Sequence, residues 1–426
     1  MPGNPRLAFV ELRVDDKVFS VPPDLVTEFS YVEKNANGGN SFSLSLFDRT
    51  GDILEDLLDK NVVSTSKIKG AISFRWGFDG EMSTFRHMTI LSARPSTIDR
   101  GGIGFQIEGV DTATGKPEAN VALSKTFKNI KIIDGKKVPN LISDIVKEIA
   151  KKHGWKTDVE PTACVEETNS REETGKKPKI YQQDNKSDLQ FLNELAVVAR
   201  SAEKPTGGRY RVFFDDKNVN LSTKEPQPVL HFHTTRAPEK KLIRLYEVQT
   251  DRLGDVRSYD PEIQDTALHA AGASAIKLVS RDRNKRKSKV VETSADTFKD
   301  SPSPNKFVGV KPGNKKKIFV PSMEEKEQTH FLANVYDIIQ KQIVKAELTI
   351  NGDPTMVPGR YVKVVVRTNT GKIFFTTRDY EIFEVEHKIT PGDYETKMLL
   401  FTAGANQGDI PSKQVKPSVV DRKPEK

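Results

Sequence analysis

The chain has 426 residues, 36% hydrophobic content and a formal net charge of +8. Its mean hydropathy is −0.55 and its pI about 9.1. A chain of this length can hold two to four domains. No run approaches the ~18 consecutive apolar residues of a membrane helix. The N-terminus, with Pro2, Pro5 and early acids at Asp15 and Asp16, lacks the apolar core of a signal peptide. These features predict a soluble protein made in the cytoplasm, without membrane binding of its own. The single cysteine, Cys164, excludes an intrachain disulfide and argues against a cysteine-rich zinc cluster.

From Leu7 to Asp111 the pattern is mostly of strands. Ala8, Val10, Leu12 and Val14 alternate, Val18 to Val21 follow a turn, and Phe42 to Leu46 reads as a half-buried strand. Asp52 to Asn61 places Ile53, Leu54, Leu57 and Leu58 on one helical face, with acids near its start. Ala71 to Trp76, Phe85 to Ala93 and Gly104 to Asp111 complete a predicted sheet.

From Lys125 to about Thr234 the pattern turns to mixed α and β. Pro139 to His153 predicts an amphipathic helix closed by Gly154, with Lys151, Lys152 and His153 at its negative end. Ser187 and Gln190 form the capping box of a second helix, whose apolar stripe is Leu189, Leu192, Leu195, Ala196 and Ala199. A hairpin is predicted next, Arg209 to Phe214 against Val219 to Ser222.

Leu242 to Val248 opens a second β region. Ser322, with Glu325, caps a predicted helix carrying Phe331, Leu332, Val335, Ile338, Ile339 and Ile343. Period-2 runs at Ala346–Ile350, Val362–Val366 and Phe383–Ile389 follow, then Tyr394 to Phe401. Asn351-Gly352-Asp353-Pro354, Pro358-Gly359 and Pro391-Gly392-Asp393 punctuate them. The residues after Thr402 read as a flexible tail.

Chemical motifs are sparse. Asp216, Asn218 and Asn220 mimic the first calcium ligands of an EF-hand, but Leu221 and Gln227 stand where that loop needs Gly and Glu, so the segment reads as a turn. His231 and His233 share one strand face and could chelate a metal, though no Cys or third His stands near in sequence. His387, inside an apolar alternation, reads as a half-buried sheet residue satisfied by a hydrogen bond. No nucleotide-binding loop or nucleophile motif occurs, and no catalytic residue or cofactor is predicted.

The basic excess is local. Arg281, Arg283, Lys285, Arg286, Lys287 and Lys289 fall within nine positions, and Lys315, Lys316 and Lys317 follow. Such runs attract phosphate, yet no aromatic side chains are interleaved for base stacking. The segment from about 280 to 320 therefore reads as a basic, disordered-like insertion that docks on an acidic partner surface.

Three stretches carry a family resemblance. Phe42 to Asp48, Phe74 to Gly80 and Phe105 to Asp111 look like the first tube-like domain of baseplate hub proteins of contractile-tailed phages. These are related to the hub part of type VI secretion spikes and to phage late control proteins. Gln182 to Ala196, followed by Gly207 to Lys217, is the most specific match. The last sheet, with Val385-Glu386-His387 and Pro391-Gly392-Asp393-Tyr394, resembles that family's closing sheet.

The resemblance implies an α+β, mainly antiparallel β chain, with two tail-tube-like β-barrel domains (1–115 and 240–402), a mixed α/β domain between them (116–239) and a tail (403–426). The two β domains would be products of a divergent duplication. It implies a structural homotrimer in the virion baseplate that adapts a central spike to a six-fold tail tube. Tail tube and baseplate wedge proteins would be its neighbours, and DNA would pass through the channel without sequence-specific binding. A tail-associated cell-wall hydrolase and a basic nucleic-acid-binding protein are the alternatives.

Overall fold

The computed structural model describes residues 7–14, 17–34, 39–51, 71–98, 102–168, 176–202, 210–218, 227–234, 242–249, 255–263, 275–282, 287–294, 316–320, 344–367, 370–371 and 378–402. The helices expected at 52–61 and from 322, and the tail after 402, lie outside them.

The N-terminal part comprises β1 (Ala8–Val14), β2 (Lys17–Val21), β3 (Val26–Lys34), β4 (Ser41–Asp48), β5 (Ala71–Phe78), β6 (Glu81–Met82), β7 (Arg86–Ile98) and β8 (Gly102–Asp111). The middle part holds α1 (Pro117–Asn120), β9 (Leu123–Phe127), β10 (Ile130–Ile133), β11 (Lys136–Pro139), α2 (Ile142–His153), β12 (Lys156–Val159), β13 (Glu166–Thr168), β14 (Lys176–Pro178), β15 (Tyr181–Lys186), α3 (Asp188–Val198), β16 (Arg211–Asp215) and β17 (Val229–His233). The C-terminal part adds β18 (Leu242–Gln249), β19 (Val256–Ile263), β20 (Ala275–Asp282), β21 (Lys287–Ser294), β22 (Lys316–Val320), β23 (Val344–Asn351), β24 (Tyr361–Arg367), β25 (Arg378–Thr390) and β26 (Asp393–Thr402).

The chain is mainly antiparallel β with few described helices, as its alternation predicts. The two β regions do not stand apart, however. They form one 14-stranded sheet ordered β19-β23-β26-β25-β3-β4-β8-β7-β5-β1-β2, with β24 on β25, β18 on β24 and β6 on β5. Among the described residues neither half closes into a barrel, because β25 gives part of its edge to β3 of the other half. Two apolar cores remain distinct. One gathers Phe29, Tyr31, Phe74, Trp76 and Ile107; the other gathers Tyr246, Leu348, Val364, Tyr380 and Met398.

The halves correspond strand for strand. The path β5-β7-β8-β4-β3 matches β24-β25-β26-β23-β19. Strands β7 and β25 both have 13 residues, β8 and β26 both 10, and β4 and β23 both 8. Each long strand bulges at its sixth residue, between Ile90 and Ser92 and between Ile382 and Glu384. A second pair of register shifts, Val26 to Glu28 and Val256 to Ser258, falls opposite equivalent partners, Leu46 and Ile350. Bulges re-aim a strand and pin its register, so coincidence at both positions fixes the correspondence residue by residue. The outer strands differ, since β1 runs antiparallel to β5 but β18 runs parallel to β24.

In the middle part, β12-β17-β16 form a mixed sheet carrying α2 and α3. Gly154, at φ 70°, closes α2 as its position predicts, and Asp144 Oδ2 accepts the Leu141 N–H at 3.0 Å. On α3 the capping box is present: Ser187 Oγ accepts from Gln190 N–H at 3.2 Å, and Gln190 Oε1 accepts from Ser187 N–H at 3.0 Å. Among the described residues the strand partner of Arg211–Asp215 is Val229–His233; the expected partner 219–222 lies outside them.

The basic segment also departs from expectation. Strands β20, β21 and β22 form a separate three-stranded sheet, with β20 central. The aliphatic runs Ile276–Val279, Val290–Val291 and Ile318–Val320 favour strands despite the charge density around them.

Leu195 on α3 and Val364 on β24 are both buried. Truncation to Ala is expected to cost on the order of 2–4 kcal/mol for the leucine and somewhat less for the valine, read from urea melts. Loss below ~0.5 kcal/mol in both would show that these faces are not packed.

Candidate assembly interface and the buried junction behind it

Strand β25 is the hinge of the sheet. Its first residues pair with β24, from Tyr361↔Glu381 to Val364↔Arg378, while Glu384 to Ile389 pair with β3. The change of partner falls at the bulge, where Phe383 packs edge-on against Phe401 at 4.8 Å.

Behind that joint lies a polar network. His387 is 1% exposed, lies tilted against Trp76 with ring centroids 4.9 Å apart and hydrogen-bonds the Met356 carbonyl through Nε2 at 3.2 Å. A carbonyl can only accept, so Nε2 carries the proton and Nδ1 accepts from Tyr394 Oη at 3.0 Å. Tyr394 Oη in turn accepts the Trp76 indole N–H at 3.1 Å. Burial holds the His387 pKa down to about 4. Gly352 is required beside this network, since a Cβ there would stand 2.0 Å from the Tyr394 ring.

A second cluster clamps the middle part onto the N-terminal half. Arg86 meets Glu33 at 2.8 Å and Asp216 at 3.5 Å, all three buried. Tyr31 Oη donates to Asp216 Oδ2 at 2.9 Å, Asn40 Nδ2 donates to the same oxygen at 3.2 Å, and the His87 N–H donates to the Asp216 carbonyl at 2.8 Å. Burial pushes the Asp216 carboxyl up, against the pull of Arg86, with Glu33 adding to the rise. Arg86 is held charged: burial opposes it, but Glu33, Tyr31 and Asp216 together outweigh that. Asp111, buried beside Asn40 and Thr114, is raised to about 6 by burial. On the other half, Arg211 of β16 grips Glu381 of β25. The middle part therefore holds both halves by ion pairs, fully buried at Arg86–Asp216 and part-buried at Arg211–Glu381. From the sequence alone Asp216 reads as a turn residue. Nothing local marks it, because its partners stand more than a hundred positions away.

His231 and His233 do share a face of β17, and the parallel neighbour β12 brings Asp158 to them. The carboxylate lies 3.0 Å from His231 Nδ1 and 3.1 Å from His233 Nε2. These three could hold a metal ion; a hydrogen bond to Asp158 satisfies His231 Nδ1 without one, while His233 Nε2 is buried and makes no hydrogen bond among the described residues. Burial lowers the His231 pKa despite Asp158 beside it.

Of the basic residues singled out from the sequence, Arg281 lies on β20, Lys287 and Lys289 on β21, and Lys316 and Lys317 on β22. Arg283, Lys285, Arg286 and Lys315 fall outside the described residues. The register puts Arg281 opposite Ser288 and Lys289 opposite Ser280, but Lys316 opposite Ile276 at the other end of β20. The sheet thus separates the two basic groups instead of merging them.

No protein-family model matches the chain, and none of the curated proteins does. Solved structures do. A tail protein from Neisseria meningitidis superposes over 93% of this chain and 97% of its own, at TM-score 0.57 and 12% identity. The 43 kDa tail protein of prophage MuSo2 from Shewanella oneidensis covers 92% and 96%, at TM-score 0.54 and 12% identity. The chain has the fold of phage tail proteins.

Two outcomes test the junction. Replacing Arg86 by Met strands two buried carboxylates, and a loss of about 3–5 kcal/mol is expected in chemical denaturation, partly restored by adding Glu33→Gln. Unchanged stability in the single variant would show that the cluster is hydrated. The second outcome is a pH dependence. An unfolded histidine titrates near 6.5, so the stability from keeping His387 neutral is full above that pH and is lost as pH falls through about 4. Asp111 slopes the other way, favouring the fold below 3.8 and losing that contribution as pH rises through about 6. The comparison with His387→Gln isolates the ring: the stability gap between parent and variant should shrink by on the order of 3 kcal/mol from pH 7 to pH 4. A gap constant with pH would exclude a buried neutral imidazole.

Proposed function

We propose that the chain is a structural baseplate hub of a contractile phage tail or related injection device, not an enzyme. Three copies form a ring that joins a central spike to the six-fold tail tube. The observation that carries this reading is the residue-level correspondence of the two halves inside one sheet. A chain holding two equivalent modules presents six of them as a trimer, which matches a three-fold spike on one side and a six-fold tube on the other. Each half is then a tail-tube-like barrel module, produced by duplication, that completes itself only next to another module.

The face of the sheet turned away from the cores supports a channel lining. Along β3, β25, β26, β23 and β8 it carries Glu28, Glu384, Glu386, Glu395, Glu347 and Glu108, against Lys34, Lys388, Lys397 and Lys345. Several are paired across strands, as Lys388 with Glu28 and Lys397 with Glu347. In a basic chain, an acid-rich, internally paired face lets DNA pass without holding it. The basic segment, with Arg281, Arg283, Lys285, Arg286, Lys287, Lys289 and Lys315 to Lys317, is assigned to acidic surfaces of the tube or a baseplate wedge protein. Those contacts should weaken with salt. The location is the virion baseplate, after synthesis in the host cytoplasm, with no membrane binding by the chain itself.

Light scattering on the eluting protein tests the reading. Three copies of the 47.7 kDa chain are expected, together with capture of the trimeric spike protein of the same tail. A protein that stays monomeric and ignores the spike, or one that clears peptidoglycan, would overturn it.

A further inference from the structure

The correspondence of the halves exposes a mismatch in their edges. In the C-terminal half, residues Glu384 to Ile389 of β25 take β3 as a partner. Among the described residues the equivalent stretch of β7, residues 92 to 97, pairs with β8 on one side only, the β5 ladder ending at Ala71↔Thr89. Likewise β3 pairs on both edges, whereas among the described residues its equivalent β19 pairs only with β23. Among the described residues, each chain therefore ends in two complementary open edges of the same kinds that meet inside it.

We propose that β19 of one copy adds to the open edge of β7 in the next copy, in the register that β3 uses on β25. This rests on the ring reading above and gives it an interface. Carrying the internal register across aligns Ala93 with Ile263, Arg94 with Glu262, Pro95 with Pro261, Ser96 with Asp260 and Thr97 with Tyr259. The alignment was fixed by the bulges alone, yet it sets an exposed arginine directly opposite an exposed glutamate. Among the described residues Arg94 has no ion-pair partner, and Glu262 has only Lys345 of its own sheet, at 3.9 Å.

The hydrogen-bond phase follows from the turn. Thr390 and Asp393 close a two-residue hairpin, so they form a hydrogen-bonded pair. Alternation then points the N–H of His387 toward β3, and in the equivalent ladder it points the nitrogen of Pro95 toward the neighbouring copy. Pro261 stands opposite, so the centre of the interchain joint lacks the donors that His387 and Tyr31 supply within the chain. A proline and charges on each open edge are what keeps such an edge from pairing indiscriminately. The joint between copies is accordingly weaker than the joint inside each copy, and it forms head to tail. Arg94 with Glu262, and Ser96 with Asp260, fall at the close-approach, non-hydrogen-bonded positions.

Those positions suit a disulfide, whose Cα atoms lie ~4.4–6.8 Å apart. In a Cys164→Ser background, Ser96→Cys combined with Asp260→Cys should oxidise to a covalent series that stops at three chains on a non-reducing gel. The out-of-register pair Ser96→Cys with Ile263→Cys should cross-link poorly. Arg94→Glu should raise the concentration at which the oligomer dissociates several-fold, and Arg94→Glu with Glu262→Arg should restore it, with circular dichroism unchanged throughout. A trimer that neither cross-links in this register nor responds to charge reversal overturns the edge assignment and leaves the hub reading standing. An open-ended ladder of cross-linked species supports the edge contact and overturns the closed ring instead. A monomeric, uncross-linked protein at every concentration overturns the edge assignment.

Discussion

The β architecture depends on β25 serving two partners along one edge. Near its start it belongs to the C-terminal half, through β24, and after Phe383 it belongs to the N-terminal half, through β3. One inserted residue makes this possible, because a bulge turns the edge away from β24 just beyond Tyr361, where β24 begins. Without it, the C-terminal half could keep its own partners, and the link to β3 would have no free edge to use. The bulge at Leu91 creates the same opportunity in β7, and among the described residues no strand takes it.

The joint is then secured by buried polar groups as well as by ladder bonds. His387, Tyr394 and Trp76 form a relay whose donors and acceptors are all matched, which is the condition for a buried network to stabilise a fold. Arg86, Glu33 and Asp216 act differently. Desolvating three charges contributes little net stability, but breaking any one leaves the others exposed to a low-dielectric interior. Such a cluster specifies where the middle part must sit. Because Asp216 reaches the N-terminal half and Arg211 reaches β25, the middle part spans the joint and ties its two sides together. The orientation between halves is thereby fixed twice, by strand pairing and by charge.

What the sequence disclosed follows the range of the interactions involved. Period-2 alternation located β4, β23 and β26, and the Ser187–Gln190 box and Gly154 marked helix ends, since these signals are local. The alternation could not say which edge meets which, so two separate barrels looked natural where the structure has one shared sheet. The basic segment misled for another reason: its charge density concealed the aliphatic runs that make strands of it. Asp216, Arg86 and Glu33 were illegible because a buried ion pair leaves no periodic trace. His387 was legible as a sheet residue, but its complete burial depends on Trp76, three hundred positions away.

With the edge contact proposed above, one strand geometry serves both a permanent contact within the chain and a separable one between copies. At equivalent positions the internal joint has His387 facing Tyr31, both fully buried and hydrogen-bonded, while the open edges carry Pro95 and Pro261. Where the internal joint places Glu386 against Val32, the open edges present Arg94 and Glu262, which attract each other yet remain hydrated when apart. A folding chain needs its own halves to find each other first, and before copies assemble its outer edges must not compete. Prolines remove donors from those edges, charges keep them in water, and the aromatic, histidine-bearing edge closes within the chain. On the proposed edge contact, the difference between strands that are otherwise equivalent sets the order of assembly: intramolecular closure comes first, and only a folded module offers the register that a neighbour can recognise.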